Sequence, residues 1–214
     1  MSETDSFIDE VTEEVRRDRL YRVFKRWGWV GVLAVLAIVG GAAWNEYQTQ
    51  QRDAAAQSFG DGVMAAMKAE DPLAALKDVP AEGARAGVLD LVAGATALED
   101  GKTDQAVTHF QAAADNQALP PSLHDLARLK LILAQGAQMP ASERDAMLAD
   151  LAKPGAPYSE LAQEQQILVL VADGKTDEAI SQAQSMLQEA DLTSGVQQRL
   201  TQLIVALGGE MKQG

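Results

Sequence analysis

Between Trp27 and Trp44 the chain runs eighteen residues without a charge, WGWVGVLAVLAIVGGAAW. As a helix rising ~1.5 Å per residue, that run spans roughly 27 Å, close to the hydrocarbon thickness of a bilayer. Trp27 and Trp29 stand at one end and Trp44 at the other, where amphipathic rings settle at a membrane interface. A core helix of a soluble domain keeps a polar stripe, and this run has none. A cleaved signal peptide has a short basic start and an apolar run of ~7–15 residues. Here 26 residues precede the run and carry seven acids. Gly41-Ala42-Ala43 is at best a weak cleavage site, so the expectation is an uncleaved anchor over residues 27–47.

The flanks set its orientation. Arg16, Arg17, Arg19, Arg22, Lys25 and Arg26 precede the span, and only Glu46, Arg52 and Asp53 follow closely. That Lys/Arg bias puts residues 1–26 in the cytoplasm and everything after the span outside. In the tail, Phe7, Ile8, Val11 and Val15 recur at helical spacing, which predicts a short amphipathic helix.

The rest of the chain is one acidic domain. Net charge is −13, of which the tail contributes −1 and residues 27–214 contribute −12. Such a domain repels nucleic acid and anionic lipid headgroups. Cysteine is absent, which excludes disulfides, thiolate metal sites and a cysteine nucleophile.

Ala, Leu, Gln and Glu dominate, and no alternating strand pattern with hairpin turns occurs, so the predicted class is all-α. The seven prolines, Pro72 to Pro157, divide the middle of the chain into short helices. Residues 48–80 read as juxtamembrane helices and linker, and 81–214 as helix pairs.

One turn signature occurs twice. Asp100-Gly101-Lys102-Thr103-Asp104-Gln105-Ala106 returns as Asp173-Gly174-Lys175-Thr176-Asp177-Glu178-Ala179, 73 residues later. That is close to two repeats of ~34 residues with a small insertion. The glycine ends one helix through a positive φ. Thr103 and Thr176, or the Asp after each, are expected to cap the next helix. The small Ala106 and Ala179 let two helices cross closely. Each unit is a helical hairpin that must stack on neighbours to bury its apolar face.

These residues resemble a tetratricopeptide repeat. With Gly101 as the inter-helix glycine, Gly94, Ala106, Phe110 and Ala113 fall at the motif's packing positions. The second unit keeps Gly174 and Ala179 but has Ile167, Ala183 and Met186 elsewhere, a degenerate match. A third hairpin is expected from Ser122–Gln135 and Ser142–Ala152. Asp90 stands where the motif often has tryptophan.

Over nearly its full length the chain resembles a narrower group, the YfgM-type tetratricopeptide-like family, ancillary subunits of the bacterial SecYEG translocon. The resemblance lies in the leader from Phe7-Ile8-Asp9-Glu10-Val11 to Arg26, in Tyr158-Ser159-Glu160-Leu161-Ala162-Gln163-Glu164, and in Leu203-Ile204-Val205-Ala206-Leu207-Gly208-Gly209. It implies a single-pass inner-membrane protein with a periplasmic repeat domain. By the same resemblance, that domain helps pass secreted chains to periplasmic chaperones. A scaffold of another envelope complex fits the anchor and repeats equally well.

Catalytic signatures are missing. Gly101-Lys102-Thr103 looks like the end of a phosphate loop, but the required upstream glycine is Thr96, and Val169 for Gly174. His109 and His124 are isolated from metal-ligand spacings. No serine sits in a nucleophile motif, and Glu99–Asp100 or Glu143–Asp145 read as solvated faces. Met64, Met67, Met139, Met147 and Met186 read as core filler before they read as an adaptable binding surface. The expectation is therefore a non-enzyme without cofactor, metal or small-molecule substrate. A hairpin solenoid binds along a groove lined by its first helices. Arg85, Asp90, Leu126, Arg128, Lys130 and Gln163 are the candidate protein-binding residues.

Overall fold

A computed structural model describes residues 3–188 and 192–210, with side chains at Lys25 and from Trp29 onward. Among these residues the chain is all-helical, with no strand. It forms two compact units, residues 1–58 and 59–214.

The first unit consists of α1 (Glu3–Ala66), which continues into the second. Trp29–Ala66 is long and apolar enough to cross a membrane. Val32, Leu33, Val35, Leu36, Ile38 and Val39 are all exposed, so every side of the helix offers apolar surface. An all-round apolar helix with nothing packed on it suits lipid rather than water. The apolar tail face of Phe7, Ile8, Val11 and Val15 lies outside the residues whose side chains are described.

The second unit begins at Phe59. Residues 59–80, the later part of the segment read from sequence as juxtamembrane helices and linker (48–80), fall within this unit. Ala66 at the end of α1 is buried, and Gly62 lies against Val79. Asp71 caps α2 (Pro72–Leu76) by accepting the Ala74 N–H at 3.1 Å, and Pro72 fits the first helical turn. Leu73 and Leu76 of this short helix are fully buried, and α2 packs on α3.

Three hairpins and a final helix follow: α3 (Ala84–Glu99) with α4 (Thr103–Asp115), α5 (Pro121–Gln135) with α6 (Ala141–Leu151), α7 (Ser159–Ala172) with α8 (Thr176–Met186), then α9 (Ser194–Ala206). Each packs on the next in the chain, and α3 also touches α5, as α7 touches α9. That is the contact pattern of a solenoid.

The recurring turn has a common geometry. Gly101 and Gly174 take φ of 71° and 74°. The Gly101 N–H donates to Leu98 O at 3.0 Å and the Lys102 N–H to Ala97 O at 2.8 Å, the 5→2 and 6→1 bonds that close a helix end. Gly174 and Lys175 repeat them onto Val171 and Leu170. The expected threonine caps are not formed. Lys102 and Lys175 hold the cap positions without side-chain bonds, and Thr103 and Thr176 are already helical. The two backbone bonds consume the turn, so the chain enters the next helix one residue before a threonine cap would act.

The structure also completes the repeat. Gly136 and Gly208 end α5 and α9 with positive φ, so the turn glycines stand at 101, 136, 174 and 208, intervals of 35, 38 and 34. The long interval reflects a 3₁₀ turn (Gly136–Gln138) and a longer α6–α7 connection. Gly208 and Gly209 repeat the same pair of closing bonds onto Val205 and Ile204. Thus α9 is built like a first helix. Gln197 and Gln198 are exposed on it and Thr201 is half-buried.

Inside the hairpins, bulk is redistributed between facing helices. Seven residues before the turn glycines stand Gly94, Leu129 and Ile167; at the eighth residue of each second helix stand Phe110, Leu148 and Ala183. All six are buried. A Cβ on Gly94 would lie 2.6 Å from the Phe110 ring. Glycine faces phenylalanine in the first hairpin; the equivalent positions hold two leucines in the second and isoleucine with alanine in the third, each pair within one core. The unit that looked degenerate has its large and small residues exchanged. Two apolar cores result, one from Ala66 to Ala162 and one over α7–α9.

Candidate protein-interaction surface

The first helices α3, α5, α7 and α9 share a register fixed by their turn glycines. Three residues before each glycine stands an apolar side chain: Leu98, Leu133, Val171 and Val205. Leu98, Leu133 and Val205 are 39%, 52% and 62% exposed. Two turns earlier the same face carries Leu91 and Leu126, which pack into the first core, and on α7 Leu168 stands exposed one turn before Val171. Because α3 touches α5 and α7 touches α9, the position three residues before the glycine recurs on neighbouring first helices in two pairs, an interrupted apolar stripe. Between α5 and α7 the stripe opens into a recess of about 220 Å³ lined by Leu133, Ala137, Leu168 and Ala172, with Arg144 at its side. The longer 3₁₀ turn after α5 borders it through Gly136 and Ala137.

The six residues expected from sequence to line the groove fall into different environments. Leu126 is packed against the first core. Lys130 sits on the stripe face with its Nζ 5.7 Å from the centre of the buried Phe110 ring, a cation–π contact across hairpins. Arg85 and Gln163 are half-buried on α3 and α7. Asp90 is tied to His109 of α4, Oδ1 to Nδ1 2.9 Å. Arg128 reaches α6, donating to Asp150 at 2.6 Å and standing 3.8 Å from Asp125. Asp90 and Arg128 thus work inside their own hairpins. Leu98, Leu133, Leu168 and Val205 are exposed apolar residues that the sequence alone does not single out, because leucines and valines on a helix look like core until the glycine register is known.

Arg128 and Lys153 together make Asp150 the most perturbed acid described. The Lys153 ammonium and then the Arg128 guanidinium hold its carboxyl down from 3.8 to about 2. A lowered folded-state value stabilises the fold above the unfolded value, and that contribution fades as pH falls from 3.8 towards 2. Because the side chain is 44% exposed, solvent screening keeps it below about 1 kcal/mol. Asp150→Asn should therefore melt slightly lower at neutral pH, and the difference should vanish near pH 2 in thermal melts followed by circular dichroism.

The final hairpin carries a second polar device. Glu160 and Glu164, one turn apart on α7, both hold α9. Glu160 accepts the Thr193 N–H at 3.0 Å and its hydroxyl at 2.8 Å. Glu164, nearly buried, accepts Nε and Nη2 of Arg199 at 2.6 Å each. That pairing raises the Arg199 guanidinium above its ordinary value through the hydrogen bonds from Glu164.

Among the described residues no three His, Asp or Glu side chains gather as metal ligands. Gly101-Lys102-Thr103 forms the α3–α4 turn, with helix on both sides.

Stacked helical hairpins with a shared first-helix face define a repeat scaffold, a class that acts by binding other proteins. The chain belongs to the tetratricopeptide repeat-like domain family, which matches residues 23–205 and so includes the whole apolar stretch Trp29–Ala66. No curated protein matches the chain. No solved structure matches it either.

Proposed function

We propose that this protein is a membrane-anchored, non-catalytic interaction scaffold of the bacterial inner membrane. Its N-terminal tail lies in the cytoplasm and its repeat domain in the periplasm. There it serves as an ancillary subunit of the Sec translocon, holding emerging chains near periplasmic chaperones. The observation that carries this reading is the joining of a lipid-suited helix and a tetratricopeptide-like solenoid in one chain. The basic cluster from Arg16 to Arg26 supports the orientation, and the leader, Tyr158–Glu164 and Leu203–Gly209 support the translocon by resemblance.

Crosslinking in intact cells, followed by purification from gently solubilised membranes, tests the assignment. Translocon subunits and periplasmic folding factors are the expected copurifying proteins. Recovery of a different envelope complex, with the translocon intact but absent from the eluate, would replace the translocon by that complex and leave the scaffold standing.

A further inference from the structure

We propose that the first-helix stripe takes an apolar polypeptide segment flanked by Lys or Arg, and rejects one flanked by acids. This rests on the scaffold reading above and names the chemistry of its partner.

The apolar half of the recognition comes from Leu98, Leu133, Leu168 and Val205. All four are exposed, and the recess between Leu133 and Leu168 admits a side chain of leucine size. The charged half comes from the rim. Residues 59–214 carry 22 acids against 11 bases. Of those bases, Lys102, Arg128, Arg144, Lys153 and Arg199 are already paired with acids of the same chain. Two of the four turns that end the stripe carry clusters of exposed acids, while Arg144 beside the recess is paired with Asp145 and Lys130 on the same face lies over the Phe110 ring. Glu99, Asp100 and Asp104 follow Leu98, and Asp173, Asp177 and Glu178 follow Val171. Even after counting Lys102 and Lys175, each of these turns keeps net negative charge.

An apolar segment alone gains only burial on this surface. Basic flanks add Coulomb attraction at each close pair, and acidic flanks add repulsion of the same order. Two such pairs separate the classes by about tenfold or more. The same acidity disfavours a second copy of this chain, nucleic acid and anionic lipid as occupants.

The test uses the full chain in nanodiscs of zwitterionic lipid, with empty nanodiscs as background. Three labelled peptides are titrated by fluorescence anisotropy: leucines with lysine flanks, leucines with glutamate flanks, and serines with lysine flanks. The lysine–leucine peptide is expected to bind at least about tenfold tighter than either other peptide. Its advantage over the glutamate peptide should largely vanish in about 1 M salt, where the Debye length falls to about 3 Å. Leu133→Ser with Leu168→Ser should weaken it about tenfold with an unchanged thermal melt, since both side chains are exposed. Glu99→Gln, Asp104→Asn, Asp173→Asn and Glu178→Gln together should narrow the gap between lysine and glutamate peptides.

Equal binding of the two leucine peptides, lost on Leu133→Ser with Leu168→Ser, overturns the charge preference and leaves the groove. Equal binding of the lysine–serine peptide overturns the apolar stripe. Binding by none of the three overturns this inference and the groove reading together. Binding indifferent to Leu133 and Leu168 does the same.

Discussion

Phe110→Ala is expected to cost the repeat domain about 3–5 kcal/mol, because Phe110 is the largest fully buried side chain among the described residues. Phe110 is fully buried in α4 and belongs to the core shared by α3, α4 and α5. Its ring lies against the bare Cα of Gly94 and beneath Lys130. Removing the ring opens a cavity that rigid helices on either side fill only in part. The third hairpin offers the remedy, because isoleucine there stands at the Gly94 position and alanine at the Phe110 position. Gly94→Ile alone should destabilise, since even its Cβ would meet the Phe110 ring at 2.6 Å. Placed on Phe110→Ala, the same substitution should recover about 1–2 kcal/mol. Urea unfolding followed by circular dichroism reads the series. Tryptophan emission does not serve, as Trp27, Trp29 and Trp44 all lie in the first compact unit. Strict additivity of the two single costs would show that Gly94 and Phe110 do not share one packing site.

That size exchange explains which parts of the fold the sequence displayed. The eighteen uncharged residues and the repeated Asp-Gly-Lys-Thr-Asp turn are local signals, and the helices stand where they placed them. Gly136 and Gly208 perform the same helix-ending role, but Gly136 leads into Ala-Gln-Met-Pro and Gly208 into Gly-Glu, so the Lys-Thr-Asp that marks the other two turns is missing and only the short Leu/Val-Ala-x-Gly before them repeats. Ile167 and Ala183 looked like decay of a motif because a motif records one residue per position, whereas packing constrains the pair. The start of the repeat body at Phe59 was hidden for another reason. Val63 and Ala66 are core residues on a helix whose helical periodicity begins long before any core exists.

The binding face was less legible than the fold. Asp90 and Arg128 were attractive as charged residues on first helices, yet each has an oppositely charged or hydrogen-bonding partner on the second helix of its hairpin. One step of helical rotation separates groove from hairpin interior, and sequence spacing resolves that step only once every turn glycine is placed. With Gly136 and Gly208 in register, Leu98, Leu133, Val171 and Val205 fall at one position; Leu98, Leu133 and Val205 are exposed there, while Val171 is half-buried against the second core.

The end of that stripe depends on an ion pair, and Arg199→Ala is expected to destabilise α9 by roughly 2–4 kcal/mol. Glu164 is 8% exposed and both its oxygens are satisfied by Arg199, which is itself half exposed. Without the guanidinium, a carboxylate is left nearly buried with no cation. Water reaching it through the space Arg199 vacates keeps the cost below that of a fully enclosed charge. The two halves of the pair are therefore unequal. Glu164→Leu removes the charge and leaves Arg199 free to turn to solvent, so its cost should be smaller, about 1 kcal/mol. Arg199→Lys should fall between, because an ammonium is a point charge and cannot supply two parallel bonds. Neighbouring Glu160, which also holds α9 through Thr193, keeps the helix from detaching altogether. Hydrogen exchange should consequently quicken in α7 and α9, where Ile167, Val196, Leu200 and Ile204 form the second core. It should stay slow in α3, α4 and α5, which draw on the first. Equal quickening in both sets would mean that the two cores unfold as one unit. A larger cost for Glu164→Leu than for Arg199→Ala would mean that the carboxylate, and not its pairing, holds α9 in place.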